Sequence, residues 1–325
     1  MKNRKPKILV VGSCVMDLIV SAERFPGSGE TVLGNDFRTA PGGKGANQAV
    51  QAARLGAEVT MVGKVGSDDF GQALLSSAGD ARIDTSHILT NGSFTAVGNI
   101  QLETGFGSVS NRIIVVPGAN MEITAEDVAF LEKEISNYDI VILQLEIPMQ
   151  INTIVARYAK AAGVPVMLNS APYAPIPAQL LSALDYISPN EHEAALLTGM
   201  SVDTDADVEA ALKKIRAMGV KNALITLGER GAAFLDASGS MILSPSVSGT
   251  HAVDPTAAGD SFVGAFCTAV CLDLGMEEAL CFANHTASIT VSRMGAQPSL
   301  PEVGQVLELM QSRGFATGDF EILTK

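Results

Sequence analysis

The chain has 325 residues, 47% hydrophobic and 18% charged, enough for one large α/β domain or two smaller ones with a sizeable core. Its formal net charge is −13, which argues against nucleic acid and anionic membranes as partners, so an anionic substrate would have to be held by backbone dipoles and a few cations. No apolar run reaches the roughly eighteen residues of a membrane span.

Residues 1–7 are basic, and no signal-peptide apolar region or cleavage site follows, so they read as a solvated tail. Residues 8–11 are a short apolar run ending at Gly12-Ser13, the pattern of a buried parallel strand. A helix over 43–55 stops at Gly56, then come a buried strand at 59–62 and a helix at 68–77. The texture changes next. Residues 94–102 and 108–116 alternate loosely around Gly105 and Gly107, as in a hairpin, and with 30–38 they could form a small separate sheet. Helix and strand then alternate again: helix 125–135, strand 140–143, helix 149–162, strand 166–168, strand 186–188, helices 191–197 and 206–218, strand 223–226. Residues 232–235 and 241–243 look like a short antiparallel pair, and three helices follow from Ala258, Glu277 and Glu302. Repeated βα units predict an α/β fold, a mainly parallel sheet covered by helices on both faces, with ligands beyond the carboxyl ends of its strands. Asp17, Glu146, Asn169, Asn190 and Gly228 each follow a predicted strand.

The cysteines are Cys14, Cys267, Cys271 and Cys281. Cys267 and Cys271 share a helix face, but neither His251 nor His285 completes a zinc-ligand spacing, so reduced buried thiols in a cytoplasmic protein are expected. His87, His192, His251 and His285 form no cluster, and none is expected to be a catalytic base.

Two segments carry chemistry. Asp254-Pro255-Thr256-Ala257-Ala258-Gly259-Asp260-Ser261-Phe262 reads as a tight turn into a helix. Small residues admit a bulky anion, free N–H groups at a helix start favour negative charge, and an aspartate there can deprotonate an attacking hydroxyl. The competing reading is an ordinary helix start with a solvated acid. Gly42-Gly43-Lys44-Gly45-Ala46-Asn47-Gln48-Ala49 pairs close-approach glycines with a cation and an amide on one helix face, and lacks P-loop spacing. Its competing reading is a glycine-rich turn before an alanine-rich helix.

Together and in this order the two segments resemble the N- and C-terminal signatures of the PfkB carbohydrate kinase family. Residues 42–48, Gln144-Leu145-Glu146, Pro189-Asn190-Glu191, Thr226-Leu227-Gly228 and Gly295-Ala296-Gln297-Pro298-Ser299 resemble its ribokinase branch most closely. The resemblance spans about 8 to 309. It implies a ribokinase-like fold in a single domain over 1–325, with a small lid sheet from about 15–40 and 93–117.

It also implies roles. Asp260 would be the catalytic base, and Ala257, Ala258, Gly259 and Asp260 would present backbone N–H groups to the transferring phosphoryl group. Val15, Asp17, Gly43, Lys44, Asn47 and Glu146 match sugar-binding positions. Asn190 and Glu193 match an Asn-x-x-Glu element that orients Mg2+ and phosphates, though the same spacing is a capping pattern. Thr226, Gly228, Glu229, Gly231 and Asn284 match nucleotide contacts. Asp254, Thr256, Thr290, Arg293, Gly295 and Ser299 match a K+ site, with Pro255 where Thr or Ser is usual.

The expected activity is ATP-dependent phosphorylation of D-ribose to ribose 5-phosphate by a cytoplasmic homodimer paired through its lid sheets. The alternatives are a kinase for 2-deoxyribose or another small sugar, a nucleoside kinase of the same family, and a catalytically silent sugar-binding regulator. Val15 stands where many ribokinases carry a ribose-contacting Asn.

Overall fold

The computed structural model describes residues 4–105 and 110–325. These form a nine-stranded sheet and a four-stranded sheet. The strands in chain order are β1 (Lys7–Val11), β2 (Val15–Ala22), β3 (Asp36–Gly42), β4 (Glu58–Gly66), β5 (Asp84–Gly92), β6 (Ala96–Glu103), β7 (Ser110–Val116), β8 (Ile140–Leu143), β9 (Val166–Leu168), β10 (Tyr186–Ile187), β11 (Asn222–Thr226), β12 (Ala232–Leu235) and β13 (Met241–Ser244). The helices are α1 (Lys44–Arg54), α2 (Asp69–Asp80), α3 (Leu131–Glu134), α4 (Met149–Ala162), α5 (Ala178–Leu181), α6 (Glu191–Thr198), α7 (Asp205–Ala217), α8 (Ala258–Val270), α9 (Met276–Val291) and α10 (Val303–Ser312).

The large sheet runs β13-β12-β11-β10-β9-β8-β1-β4-β5, parallel except where β12 and β13 turn back. Side chains alternate between its faces, as strand geometry requires. Ile8 and Val10 of β1, with Ile140 and Ile142 of β8, pack into the core under α1, α2, α8, α9 and α10. Leu9, Val11, Val141 and Leu143 enter the opposite core with α4 and α7. Both faces being covered, the central strands are apolar throughout.

The small sheet, ordered β3-β2-β6-β7, is built from two excursions: β2 and β3 between β1 and α1, β6 and β7 between β5 and β8. Its β2 and β6 are parallel. Its apolar residues Phe37, Ile113, Ile114, Val115 and Val116 are exposed.

Several expectations need correction. Asp17 lies a short way after β1 as expected, but not at a strand end: it sits within β2, inside the 15–40 span expected for the small sheet, paired with Ala40 and Gly98. The strand expected at 30–38 begins at Asp36, and the preceding residues form a loop. The helix expected over 125–135 is reduced to turns, the single turn of α3 and a 3-10 turn. β5 was not anticipated. Arg4 is docked rather than solvated, its guanidinium bidentate on Asp139 at 2.8 and 2.7 Å. Part of the expected hairpin, 106–109, and residues 1–3 of the tail lie outside the described residues.

Candidate active site

The site is assembled at the carboxyl edge of the parallel strands, where α1 and α8 cross. Gly264 permits the crossing: a Cβ there would stand 2.9 Å from the Gln48 carbonyl oxygen. That proximity lets side chains of α1 reach the first turn of α8.

Asp260 lies in that first turn, buried, accepting hydrogen bonds from Asn47 Nδ2 on Oδ2 and from Gln48 Nε2 on Oδ1, both at 2.9 Å. A carboxylate only accepts, so the amide nitrogens must face it. Asn47 Oδ1 is left buried with no partner among the described residues. The helix start itself has no side-chain cap. Ala257, just before it, holds the left-handed conformation at φ 59°, a geometry that costs an L-residue about 1–2 kcal/mol. The turn directs the Ala258 N–H at the Pro255 carbonyl at 3.2 Å, and the space a side chain of Gly259 would fill is open.

Facing Asp260 is the glycine-rich entry to α1. Gly43, at φ 92°, packs so tightly on residues 13–15 that a Cβ would stand 2.8 Å from the Val15 nitrogen. Glu146 Oε2 accepts from Ser13 Oγ at 2.5 Å and from the Lys44 backbone N–H at 3.0 Å, which ties the end of β8 to the start of α1. Burial works against the Lys44 ammonium, but the Asp260, Glu146 and Glu193 carboxylates outweigh it and raise its pKa. Asp17 reaches the same space from β2. Its carboxylate is wedged between Gly42 and Gly98, where a Cβ on either would collide with it. Burial, then repulsion by Glu146 and Asp260, pushes its pKa up to about 7. Val15 is buried at the head of the same strand.

Asn190 and Glu193 form a reciprocal capping box on α6: Asn190 N–H to Glu193 Oε2 at 2.9 Å and Glu193 N–H to Asn190 Oδ1 at 2.8 Å. Burial raises the Glu193 pKa against the pull of the Asn190 N–H and Lys44. Thr226 bridges to Asn190 at the end of β11. Gly228 and Gly231 adopt positive φ around Glu229, and a Cβ on Gly231 would collide with the 244–246 backbone. Asn284 Nδ2 binds Ser244 and Pro245 at the wall of a cavity of about 780 Å³ that also includes His285, Arg313 and Phe315.

The remaining group gathers beside α8. Asp254 accepts from the Thr256 N–H and hydroxyl and from the Gly295 N–H at 2.9, 2.6 and 2.8 Å, and these bonds prevail over burial to hold its pKa down. Thr290 and Ser299 are buried with hydroxyls turned onto the Thr286 and Ala296 carbonyls, the Arg293 guanidinium donates to Gln305, and the Thr290 carbonyl accepts the Arg293 backbone N–H at 3.1 Å. Sequence reasoning named Gln48 and Gln144 within the signature segments and Asn169 after a strand, but missed them as a connected set beneath Asp260.

Residues 5–303 match the pfkB family carbohydrate kinases. The chain belongs to that family. It is 39% identical over 305 residues to a ribokinase of Bacillus subtilis (strain 168), covering 93% of this chain and 99% of the relative. The solved ribokinase of Arabidopsis thaliana complexed with ribose and ATP superimposes with a TM-score of 0.86 at 36% identity, over 95% of this chain and 99% of that one. A nucleoside kinase of Methanocaldococcus jannaschii has a TM-score of 0.76 at 21% identity over 95% and 99%, which speaks for the fold alone. The protein is thus a phosphotransferase of the carbohydrate kinase type, and no helix among its described residues is long and apolar enough to cross a membrane.

Proposed function

We propose that the protein transfers the γ-phosphate of ATP to the 5-hydroxyl of D-ribose, giving ribose 5-phosphate and ADP. The observation that carries this reading is the placement of Asp260: a buried carboxylate in the uncapped first turn of α8, facing Lys44, Asn47 and Glu146. Asp260 takes the 5-hydroxyl proton as that oxygen bonds to the γ-phosphorus and the bond to the β,γ-bridging oxygen breaks. The N–H groups of Ala257, Gly259 and Asp260 stabilise the charge on the transferring group, whereas the Ala258 N–H, expected to join them, is turned onto the Pro255 carbonyl. Lys44, Asn47, Glu146 and Asp17 hold the sugar, whose hydroxyls both donate and accept.

The nucleotide belongs on Thr226, Gly228, Glu229, Gly231 and Asn284. Magnesium neutralises phosphate charge when bound, and hard oxygens suit it; Asn190 and Glu193 would orient it through the Glu193 oxygen outside the cap. Potassium suits the Asp254 carboxylate with the carbonyls of Thr256, Thr290, Arg293, Gly295 and Ser299, and would order the loop that feeds α8. Exposed Ile113, Ile114, Val115 and Val116 of β7, with Phe37, support pairing of two copies through the small sheets, which then close over the sugar. The free thiols support a reducing, cytoplasmic setting.

Buried Val15 favours a second substrate beside ribose. An amide at this position would be left unpaired by a sugar lacking its hydroxyl and would reject that sugar, whereas valine has nothing to leave unpaired. We expect 2-deoxyribose to be used within roughly tenfold of ribose. ATP consumption across a panel of sugars and nucleosides, with kcat/KM for both pentoses, tests both points. Turnover of a nucleoside alone, or of nothing, refutes the sugar kinase reading; a thousandfold ribose preference refutes the argument from Val15.

A further inference from the structure

Asp260 receives one N–H from each of two consecutive residues of α1, and those residues differ in their surroundings. Asn47 is 5% exposed and its Oδ1 has no partner among the described residues. Gln48 is entirely buried, with 0% exposure, and cannot touch a substrate. Its Nε2 donates to Asp260 Oδ1 at 2.9 Å and to Asn169 Oδ1 at 3.2 Å, and its Oε1 accepts from Gln144 Nε2 at 2.7 Å. Asn169 in turn donates to the Ser188 carbonyl at 2.8 Å. Gln144, Asn169 and Ser188 directly follow β8, β9 and β10. The chain of donors has one consistent direction, because only nitrogen can face the carboxylate, which leaves Gln48 oxygen for Gln144. Gly12 completes the arrangement: a Cβ there would overlap the Gln144 amide oxygen.

Two strand ends therefore grip one glutamine, a third braces Asn169, and that glutamine grips the base. We propose that Gln48 is a positioning residue for Asp260, fixing the plane of its carboxylate through the Gln144–Asn169 amide array so that one oxygen is presented to the attacking hydroxyl. This rests on the reading of Asp260 as the base. It separates two neighbours on one helix: Asn47 serves the sugar as well as the base, Gln48 the base alone.

The test is Gln48→Leu, of similar volume without donor or acceptor, with folding checked by thermal unfolding. Losing a hydrogen bond to a charged group predicts a kcat about tenfold lower. KM for ribose and for ATP stay within about twofold, because Gln48 touches neither. In an Asp260→Asn background the same substitution changes the residual single-turnover rate by less than about twofold, since no base remains to be held. Equal losses in the two backgrounds, a matching rise in either KM, or wild-type kcat in a folded Gln48→Leu overturns the proposal. If Gln48→Leu does not fold, Gln144→Leu takes its place: it frees Gln48 Oε1 alone and should lower kcat about threefold at constant KM. Wild-type kcat there also overturns it. The two readings fail separately: full turnover in Asp260→Asn removes the base and its clamp together, whereas loss at Asp260 with wild-type kcat in Gln48→Leu removes the clamp only.

Discussion

Asp260 and Asp17 approach one cleft from the two sheets and are held in opposite ways. Asp260 belongs to a helix packed on the large sheet and accepts two amide N–H groups. Asp17 belongs to the small sheet, has no hydrogen-bond donor among the described residues, and is pressed between the backbones of Gly42 and Gly98. The first carboxylate has its partners built in. The second is pushed up to about 7 by burial and by its neighbours' charge, and lacks the donors that would stabilise its ionised form. The two carboxylates thus differ in what surrounds them: built-in amide donors for Asp260, backbone walls for Asp17.

The largest effect short of losing the base should follow Lys44→Ala. It removes the ammonium set among Asp260, Glu146 and Glu193, and the ribose KM should rise on the order of a hundredfold, far more than the ATP KM. Equal rises in both would erase the division between capture and reaction ends. Next comes the cation loop: replacing potassium with a bulky organic cation should lower kcat about tenfold, and Asp254→Ala should abolish that response. A rate indifferent to the ion would mean that the loop at Asp254 holds no cation. The smallest effect sharpens the comparison directly. Asp17 is raised, so its protonated form prevails in the folded protein below about pH 7, and its charge destabilises the fold as pH rises through that value. With Asp17 holding the sugar as proposed, ribose hydroxyls would donate to the ionised form and sugar binding would be coupled to loss of this proton. The ribose KM should fall severalfold from about pH 6 to 8 and flatten above, and the fall should vanish in Asp17→Asn. An unchanged pH response in that variant would place the titrating group elsewhere.

Apolar runs and breakers made the large sheet legible. Strands β8 and β9 and helix α4 lie where the hydrophobic pattern puts them, α4 ending at Gly163 in the left-handed conformation. Strand β5 escaped because it is an edge strand whose residues are mostly exposed or half-buried, with Ile88 alone fully inside. Asp17 was named as a candidate after the first strand, but its place inside β2 was not read, since the aspartate interrupts the apolar run on either side of it. The signatures pointed to Asp260 and Lys44 without showing what holds them. The amide clamp was beyond sequence reading: Gln48 and Asp260 are 212 positions apart, and Gln144 and Asn169 look like ordinary polar residues after strands until the sheet brings them together.

The central claim is that Asp260 removes the proton from the attacking hydroxyl. Single-turnover phosphorylation of ribose by Asp260→Asn, measured beside equilibrium binding of ribose and ATP, addresses it most directly. The amide keeps the shape of the side chain but cannot accept the proton. The account predicts a loss of a hundredfold or more, on the order of what general-base catalysis supplies, with both ligands still bound. Turnover near that of the unaltered protein would contradict it.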